Sequence, residues 1–310
     1  MTHAGERRQA DVPDIVVVGA AARDIDESDP RGWRLGGGVT YGALACARLG
    51  IRTGVLLGVD ALATDAWELD LLLDSGVDVV RVALPSGPVF HNQERPAGRI
   101  QMYLGPGTPM PVSDVPDAWR GAPAWILAPV AGELPDAWAS QPAQSACVAY
   151  AWQGALRRLI PGERVTPLHP GPSALLSRAD IVGVSIHDLG LEPAWADILG
   201  WLRPTAELLL TAGARGGLLL RRSPTGSFAA RRFPPVSARV ELDATGAGDS
   251  TLAALVCARV AGGPDAIRRG RDLQLAATVG SLIVEGPGLD AVPTLAAVRR
   301  RLDLDLRRGA

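Results

Sequence analysis

The segment ELDATGAGDSTLAALVCARVAGG, residues 241–263, joins a glycine-rich loop directly to a long apolar helix. Gly246 and Gly248, with Ala247 between them, allow the backbone to approach a ligand without obstruction by side chains. The first N–H groups of a helix have no acceptor within the helix, and the helix dipole adds partial positive charge at the same end. The segment therefore predicts an anion site suited to phosphate.

Asp249, at the end of this loop, conflicts with simple phosphate binding. A carboxylate inside an anion site repels the anion, unless it takes a proton from a hydroxyl group that attacks the phosphate. The alternative interpretation is a helix cap, which is a common role of aspartate. The spacing favours neither interpretation, so both stay open at this point.

Strands and helices alternate along the rest of the chain. Apolar, strand-like runs occur at 14–20, 53–60, 78–84, 124–130, 147–151 and 179–185, and helical patterns at 36–50 and 66–76. This alternation predicts βαβ units, and hence one α/β domain over residues 1–310 with a mostly parallel sheet. Two polar, turn-rich segments, at about 22–35 and 87–105, interrupt the alternation and predict a small β-sheet lid over one edge.

Composition excludes several classes of function. The formal net charge of −2 and the pI near 6.1 provide no basic face for nucleic acid or for an anionic membrane. The chain contains no lysine, which excludes a Walker A loop and a protein-kinase site. Arginine pairs such as Arg157–Arg158 are interpreted as solvated surface. No long apolar run or signal-peptide pattern is present, so a cytoplasmic protein is expected.

Three motifs together resemble the ribokinase, or PfkB, family of small-molecule kinases. DATGAGD (243–249) resembles the family signature, GGGVTYGALACARLG (36–50) its N-terminal glycine motif, and TAGARGG (211–217) its nucleotide loop. Asp24 stands where the family keeps a substrate-binding aspartate. The resemblance covers about residues 14–295. It implies a three-layer ribokinase-like fold, with helices on both faces of the central sheet and a β-sheet lid.

The resemblance also implies roles for individual residues. Asp249 would be the general base, and the N–H groups of Gly246, Ala247 and Gly248 would stabilise the transferring phosphoryl group. The cofactors would be ATP and Mg²⁺, and a monovalent cation is left open. The remaining implied sites are the nucleotide site, with Thr211, Gly213, Gly216 and Thr245, and the acceptor site, with Asp24, Gly36 and Gly37.

The sequence departs from the family pattern at two places. An NxxE motif often organises magnesium in the family, whereas this chain offers Ser185 and Asp188, with Asp243 as a second candidate metal ligand. Tyr41 stands where many sugar-binding members have asparagine, which makes ordinary ribose recognition doubtful.

The presumed lid strand, VFHNQ, contains the only asparagine of the chain. We assign its neighbours His91 and Gln93 to the acceptor site, with a solvent-facing position as the alternative. The GGGVTY and VFHNQ segments loosely resemble the myo-inositol kinase branch of the family.

Three functions remain in competition. The first is an ATP-dependent kinase for a hydroxyl of a small sugar or cyclitol, and the second is a nucleoside kinase of the same family, in which Tyr41 would stack on the base. The third is a non-catalytic binding protein that keeps the glycine loop without metal-assisted transfer. A homodimer formed through the lid is also expected, because an exposed sheet edge favours pairing.

Overall fold

A computed structural model of the protein describes residues 12–93, 100–189, 195–222, 228–268 and 270–308. Its strands are β1 (Ile15–Ala20), β2 (Ala22–Ile25), β3 (Trp33–Gly36), β4 (Thr53–Val59), β5 (Asp78–Ala83), β6 (Val89–Gln93), β7 (Ile100–Gly105), β8 (Ala124–Leu127), β9 (Cys147–Ala151), β10 (Arg157–Arg158), β11 (Thr166–Pro167), β12 (Ile181–Ser185), β13 (Glu207–Thr211), β14 (Gly217–Arg222) and β15 (Phe228–Phe233). Its helices are α1 (Gly38–Arg48), α2 (Glu68–Asp74), α3 (Ala174–Arg178), α4 (Trp195–Trp201), α5 (Ala247–Arg268), α6 (Arg271–Ile283) and α7 (Leu295–Arg308).

Nine strands form the central sheet, in the order β15-β14-β13-β12-β9-β8-β1-β4-β5. The seven strands from β13 to β5 in this order are parallel, and the hairpin of β14 and β15 adds two antiparallel strands at one edge. A parallel sheet of this kind is covered on both faces, which explains why strands such as IVVVGA are apolar at every position.

The two faces of the sheet have separate hydrophobic cores. Side chains alternate along a strand, so Ile15 and Val17 enter one core while Val16 and Val18 enter the other. Helices α1, α2, α5, α6 and α7 cover the first face, and α3 and α4 pack on the second together with four buried tryptophans. The predicted three-layer α/β fold is therefore confirmed.

A second sheet of four strands, in the order β3-β2-β6-β7, lies at the end of the central sheet. Its outer pairs are antiparallel and its central pair is parallel. All four strands come from the two segments that interrupt the α/β alternation, although residues 94–99 of the second segment lie outside the described residues. We call this four-stranded sheet the lid.

An ion pair joins the lid to the loop before α5. The Arg34 Nη2 atom, on β3, lies 2.6 Å from Oδ2 of Asp243, although 209 residues separate the two in sequence. This contact places the root of the lid beside the glycine-rich loop. None of the described helices combines the length and the hydropathy needed to cross a bilayer.

Candidate active site

A cleft of about 770 Å³ lies between the lid, the N-terminus of α5 and the carboxyl ends of central strands. Open α/β sheets commonly bind ligands at this end of their strands. Twelve of the predicted site residues line the cleft: Asp24, Gly37, Tyr41, Asp188, Thr211, Gly213, Gly216, Thr245, Gly246, Ala247, Gly248 and Asp249. Four others, Gly36, His91, Gln93 and Asp243, are not among its lining residues.

The glycine-rich loop ends where α5 begins, at Ala247. Gly246 has a φ of +76°, and any side chain at this position would also collide with the ring of Tyr41. In the described part of the chain the N–H groups of Gly246 and Gly248 have no acceptor, so both are available to an anion. The Ala247 N–H, in contrast, donates to the carbonyl of Ala244 at 3.3 Å.

Asp249 is the third residue of α5, so it does not occupy the N-cap position of this helix. Its side chain lines the cleft and lies against the first residue of α1. A β-carbon at Gly38 would be 2.6 Å from the Asp249 Oδ1 atom, so only glycine leaves room for the carboxylate. Gly38, the third glycine of the motif at 36–50, thus leaves space for the side chain of Asp249 from the motif at 243–249.

Four influences together raise the pKa of Asp249 from 3.8 to about 6. Loss of hydration is the largest and raises the pKa, the positive charge of Arg157 lowers it, the negative charge of Asp188 raises it, and a hydrogen bond from the backbone N–H of Asp249 itself lowers it. A carboxylate with a pKa near 6 is ionised at neutral pH and is a stronger base than an ordinary aspartate. These properties are those required of a general base.

Arg157 and Gln153 enter the cleft from a short 3-10 turn after β9. Trp152, Gly154 and Leu156 of the turn are buried, which fixes it against the core, while Gln153 and the following residue Arg157 line the cleft. The Gln153 amide donates to Asp188 Oδ1 at 3.1 Å. The expectation that Arg157 belongs to a solvated surface was therefore wrong.

At the lid end of the cleft, polar groups form a chain of hydrogen bonds. The Asn92 Nδ2 group donates to Asp24 Oδ1 at 3.2 Å, and the Gln101 Nε2 group donates to Asn92 Oδ1 at 2.8 Å. All three residues line the cleft, and Asp24 is only 7% exposed. Gly36 lies directly behind Asp24, where a β-carbon would overlap the carboxylate.

His91 and Gln93 lie on the opposite face of the lid from Asn92, because successive side chains of β6 alternate. There the Gln93 amide and the His91 ring are 3.4 Å apart. Phe90 and Asn92 are the residues of this strand that line the cleft. His91 and Gln93, which were predicted to bind the acceptor, therefore do not line the cleft, whereas Asn92 between them does.

The predicted nucleotide residues Thr211, Gly213, Gly216 and Thr245 line the cleft, as do Val236, Ala277, Ser281 and Val284. Thr245 is held by a hydrogen bond from its N–H to Asp243 Oδ1, at 2.9 Å. The polar residues Ser237, Arg239 and Glu241 also belong to the lining. Apolar walls with a few polar groups are usual in sites for small ligands.

The two candidate metal ligands differ in their surroundings. Asp188 lines the cleft beside Gln153 and Ser185, which provides oxygen donors of the kind that Mg²⁺ prefers. Asp243 is instead paired with Arg34 and also caps the turn at Thr245. Because the charge of the Asp243 carboxylate is already balanced by Arg34, Asp243 is a poor metal ligand. Asp188 remains as the metal candidate. Among the described residues, no group of three or more His, Cys, Asp or Glu side chains converges.

Tyr41 is almost completely buried, with 1% of its surface exposed. Its ring packs beneath Gly246, and burial raises the pKa of its hydroxyl well above the usual value. The ring therefore supports the glycine-rich loop, and little of it is free to stack on a ligand.

Among the lining residues that sequence reasoning missed are Gly38, Gln101, Gln153 and Arg157. Gly38 was visible as the third glycine of the N-terminal motif, and Gln101 could have been paired with Asn92 if the register of the hairpin had been known. No sequence signal separated Arg157 from the exposed Arg158 beside it.

Solved structures share this architecture over nearly the whole chain. A pyrophosphate-dependent kinase in the ribokinase family, complexed with a pyrophosphate analog and myo-inositol, superposes with a TM-score of 0.69 and 21% identity, covering 94% of this chain and 99% of that one. The chain has the ribokinase fold. Arabidopsis thaliana ribokinase, complexed with ribose and ATP, has the same fold with a TM-score of 0.65 and 20% identity, covering 94% and 99% of the two chains.

The ribokinase fold also occurs in the nucleoside kinase of Methanocaldococcus jannaschii, with a TM-score of 0.65, 16% identity and coverage of 95% of this chain and 100% of that chain. Neither a protein-family model nor a curated protein matches the chain by sequence. The similarity is therefore one of fold, and the chemistry must be argued from the site itself.

Proposed function

We propose that this protein is an ATP-dependent phosphotransferase that phosphorylates a hydroxyl group of a small sugar or cyclitol, such as myo-inositol. The observation that carries the proposal is the position of Asp249, a carboxylate with a pKa near 6 that faces a cleft beside the unpaired amides of a helix N-terminus. A binding protein gains nothing from a negative charge at an anion site. A kinase needs one there as a base.

The proposed step transfers one proton and one phosphoryl group. Asp249 takes the proton of the acceptor hydroxyl, and the freed electron pair of that oxygen forms a bond to the γ-phosphorus of ATP. The bond from this phosphorus to the bridging oxygen breaks, and ADP leaves with that electron pair. The N–H groups of Gly246 and Gly248 stabilise the negative charge of the transferring group. Asp188 would hold magnesium, which when bound neutralises charge on the phosphates.

The lid end of the cleft supports a polyol as acceptor. Asp24 supplies hydrogen-bond acceptors, and the amides of Asn92 and Gln101 supply both donors and acceptors, which matches neighbouring hydroxyl groups that do both. The lid also limits access of water, which would otherwise compete for the phosphoryl group. A nucleoside is a less suitable acceptor, because the buried Tyr41 ring is not free to stack on a base.

Apolar residues in the lining of the cleft support a nucleotide as donor. Val236, Ala277 and Val284 offer a site for an adenine ring, for which pyrophosphate alone has no use. One protein of the same fold is described as pyrophosphate-dependent, so the donor must be tested directly.

A substrate panel tests the proposal. The protein is incubated with Mg²⁺, with ATP or pyrophosphate as donor, and with myo-inositol, hexoses, ribose or nucleosides, and the phosphorylated products are identified by mass spectrometry. We expect product from ATP and a cyclitol or sugar. Product from nucleosides alone would favour the nucleoside kinase, and no product with any pair would favour a binding protein.

An Asp249→Asn variant is the matched control for this assay. It should lose turnover while ATP binding, measured by calorimetry, stays within about threefold, because the amide cannot act as a base but retains the shape of the carboxylate. Joint loss of turnover and folding, monitored by circular dichroism, would indicate a structural role for Asp249 and contradict the proposal.

A further inference from the structure

Arg157 is a cation that the known sequence motifs do not include. It lines the cleft together with Asp249, and its charge acts directly on the Asp249 carboxylate. Its guanidinium carbon also lies 6.0 Å from the centre of the Phe90 ring, on the lid strand β6. The guanidinium group is thus near the base and the lid at the same time.

The backbone holds Arg157 in this position. The 3-10 turn before it is buried through Trp152 and Leu156, and Gly154 packs so closely on the backbone of Pro129 that no β-carbon would fit. Arg157 then pairs with Pro167 in the short ladder of β10 and β11. A residue whose backbone is held on both sides in this way is suited to positioning a functional group.

We infer that Arg157 is a catalytic residue that donates hydrogen bonds to the oxygens of the transferring phosphoryl group, from an element separate from the glycine-rich loop. The inference rests on the phosphoryl transfer proposed above. The planar guanidinium group binds two phosphate oxygens at once, and its charge persists at every relevant pH. In a chain without lysine, arginine is the only permanent cation available for this role.

The location of Arg157 also explains its relation to the base. Arg157 and Asp249 attract each other when the cleft is empty, which favours the ionised form of the base. When the donor phosphate arrives, it shares the positive charge of Arg157. The pKa of Asp249 then rises, so the base becomes stronger when it is needed.

The test compares Arg157→Ala, Arg157→Lys and Arg158→Ala. Arg158 is the matched control, because it is the next residue, carries the same charge and is exposed on the other side of β10. For Arg157→Ala we expect kcat to fall by about 10²-fold or more, as when an enzyme loses one group that stabilises transition-state charge. Arg157→Lys should recover part of the loss, and Arg158→Ala should match the unmodified protein.

The pH dependence of kcat/KM separates this role from a structural one. Without the positive charge the pKa of Asp249 rises further, so the acidic limb of the profile should move to higher pH in Arg157→Ala and should stay in place in Arg157→Lys. The inference would be overturned if the acidic limb of the kcat/KM profile of Arg157→Ala stayed at the same pH as in the unmodified protein. A decrease in kcat of less than twofold would overturn it as well.

A binding measurement keeps the inference testable even if no acceptor is found. Calorimetric titration with inorganic pyrophosphate should give a Kd at least about tenfold weaker for Arg157→Ala than for Arg158→Ala, because the loss of a charge-assisted bidentate contact weakens phosphate binding. Equal affinities of the two variants would overturn the role of Arg157. Lack of turnover in the unmodified protein would instead count against the proposed function.

Discussion

Gly38 and Asp249 are in direct contact, although they are 211 positions apart in sequence: a β-carbon on Gly38 would lie 2.6 Å from Oδ1 of Asp249. Gly38 opens α1 and Asp249 lies in the first turn of α5, so the two helices meet at the base of the cleft. The glycine motif near the N-terminus therefore determines where the carboxylate can lie.

The first prediction concerns this contact. Gly38→Ala should lower kcat by about 10–100-fold, because a displacement of the base of roughly 1 Å is enough for such a loss. The measurement is steady-state turnover with the best acceptor of the panel.

Gly42→Ala is the control for this variant, since Gly42 is in the same helix and its β-carbon would lie 3.5 Å from Val17 Cγ1, an ordinary contact. It should keep full activity and gain up to about 1 kcal/mol of stability, because alanine favours the helix. Equal activity of the two variants would show that Gly38 does not position the base.

The pH profile of the unmodified protein provides a second prediction. In the proposed reaction Asp249 is a base only when ionised, and its pKa is raised to about 6. The rate constant kcat/KM should therefore fall about tenfold per pH unit below pH 6 and level off above it. A profile that stays flat down to pH 4.5 would contradict a base with this pKa.

A third prediction concerns stability. Because the pKa of Asp249 is higher in the folded protein than its ordinary value of 3.8, ionisation disfavours folding above about pH 4, and the full cost is present above about pH 6. The cost is at most about 3 kcal/mol, and contact with solvent in the cleft reduces it. Asp249→Asn should therefore be more stable than the unmodified protein at pH 8, by about 1–2 kcal/mol.

Urea unfolding at pH 8 and pH 4.5 measures this difference, which should shrink at the lower pH. Asp117→Asn removes the same charge from a fully exposed side chain and should change the free energy of unfolding by less than about 0.5 kcal/mol. A destabilised Asp249→Asn protein at pH 8 would show that the carboxylate serves the fold.

The fourth prediction tests the lid. Asn92 connects Asp24 to Gln101, so Asn92→Ala should raise the KM for the acceptor by about 10–100-fold through the loss of these hydrogen bonds, and leave the KM for the donor unchanged. His91→Ala changes the adjacent residue on the other face of β6 and should leave both constants unchanged. If His91→Ala had the larger effect, the face assigned to the acceptor would be wrong.

Local patterns predicted the fold and most of the cleft. Residues close together in sequence determine the strands β1 and β4 and the glycine-rich loop before α5. Local sequence patterns are therefore sufficient to predict these elements. The two-residue periodicity of VFHNQ was equally visible, but it does not say which face of the strand is turned to the cleft. That choice depends on the parallel pairing of β2 and β6, more than 60 residues apart.

Arg157 was missed for a related reason. Its neighbours 152–156 form a turn whose direction depends on packing against the distant backbone at Pro129, and no periodicity in the sequence reports that contact. The prediction of Asp243 as a metal ligand failed for the same reason. Its ion-pair partner, Arg34, comes from a lid strand far away in the chain, and no local pattern indicates this contact.

The ion pair between Arg34 and Asp243 has a mechanical consequence. It links the strand at the edge of the lid to the peptide that leads into α5, so any rotation of the lid about its root would pull on that peptide. In the proposed kinase, binding of the acceptor under the lid and alignment of the Gly246 and Gly248 amides would thereby be coupled through this ion pair. Concentrated salt, which weakens such pairs, should loosen that coupling before it disturbs either half of the cleft alone.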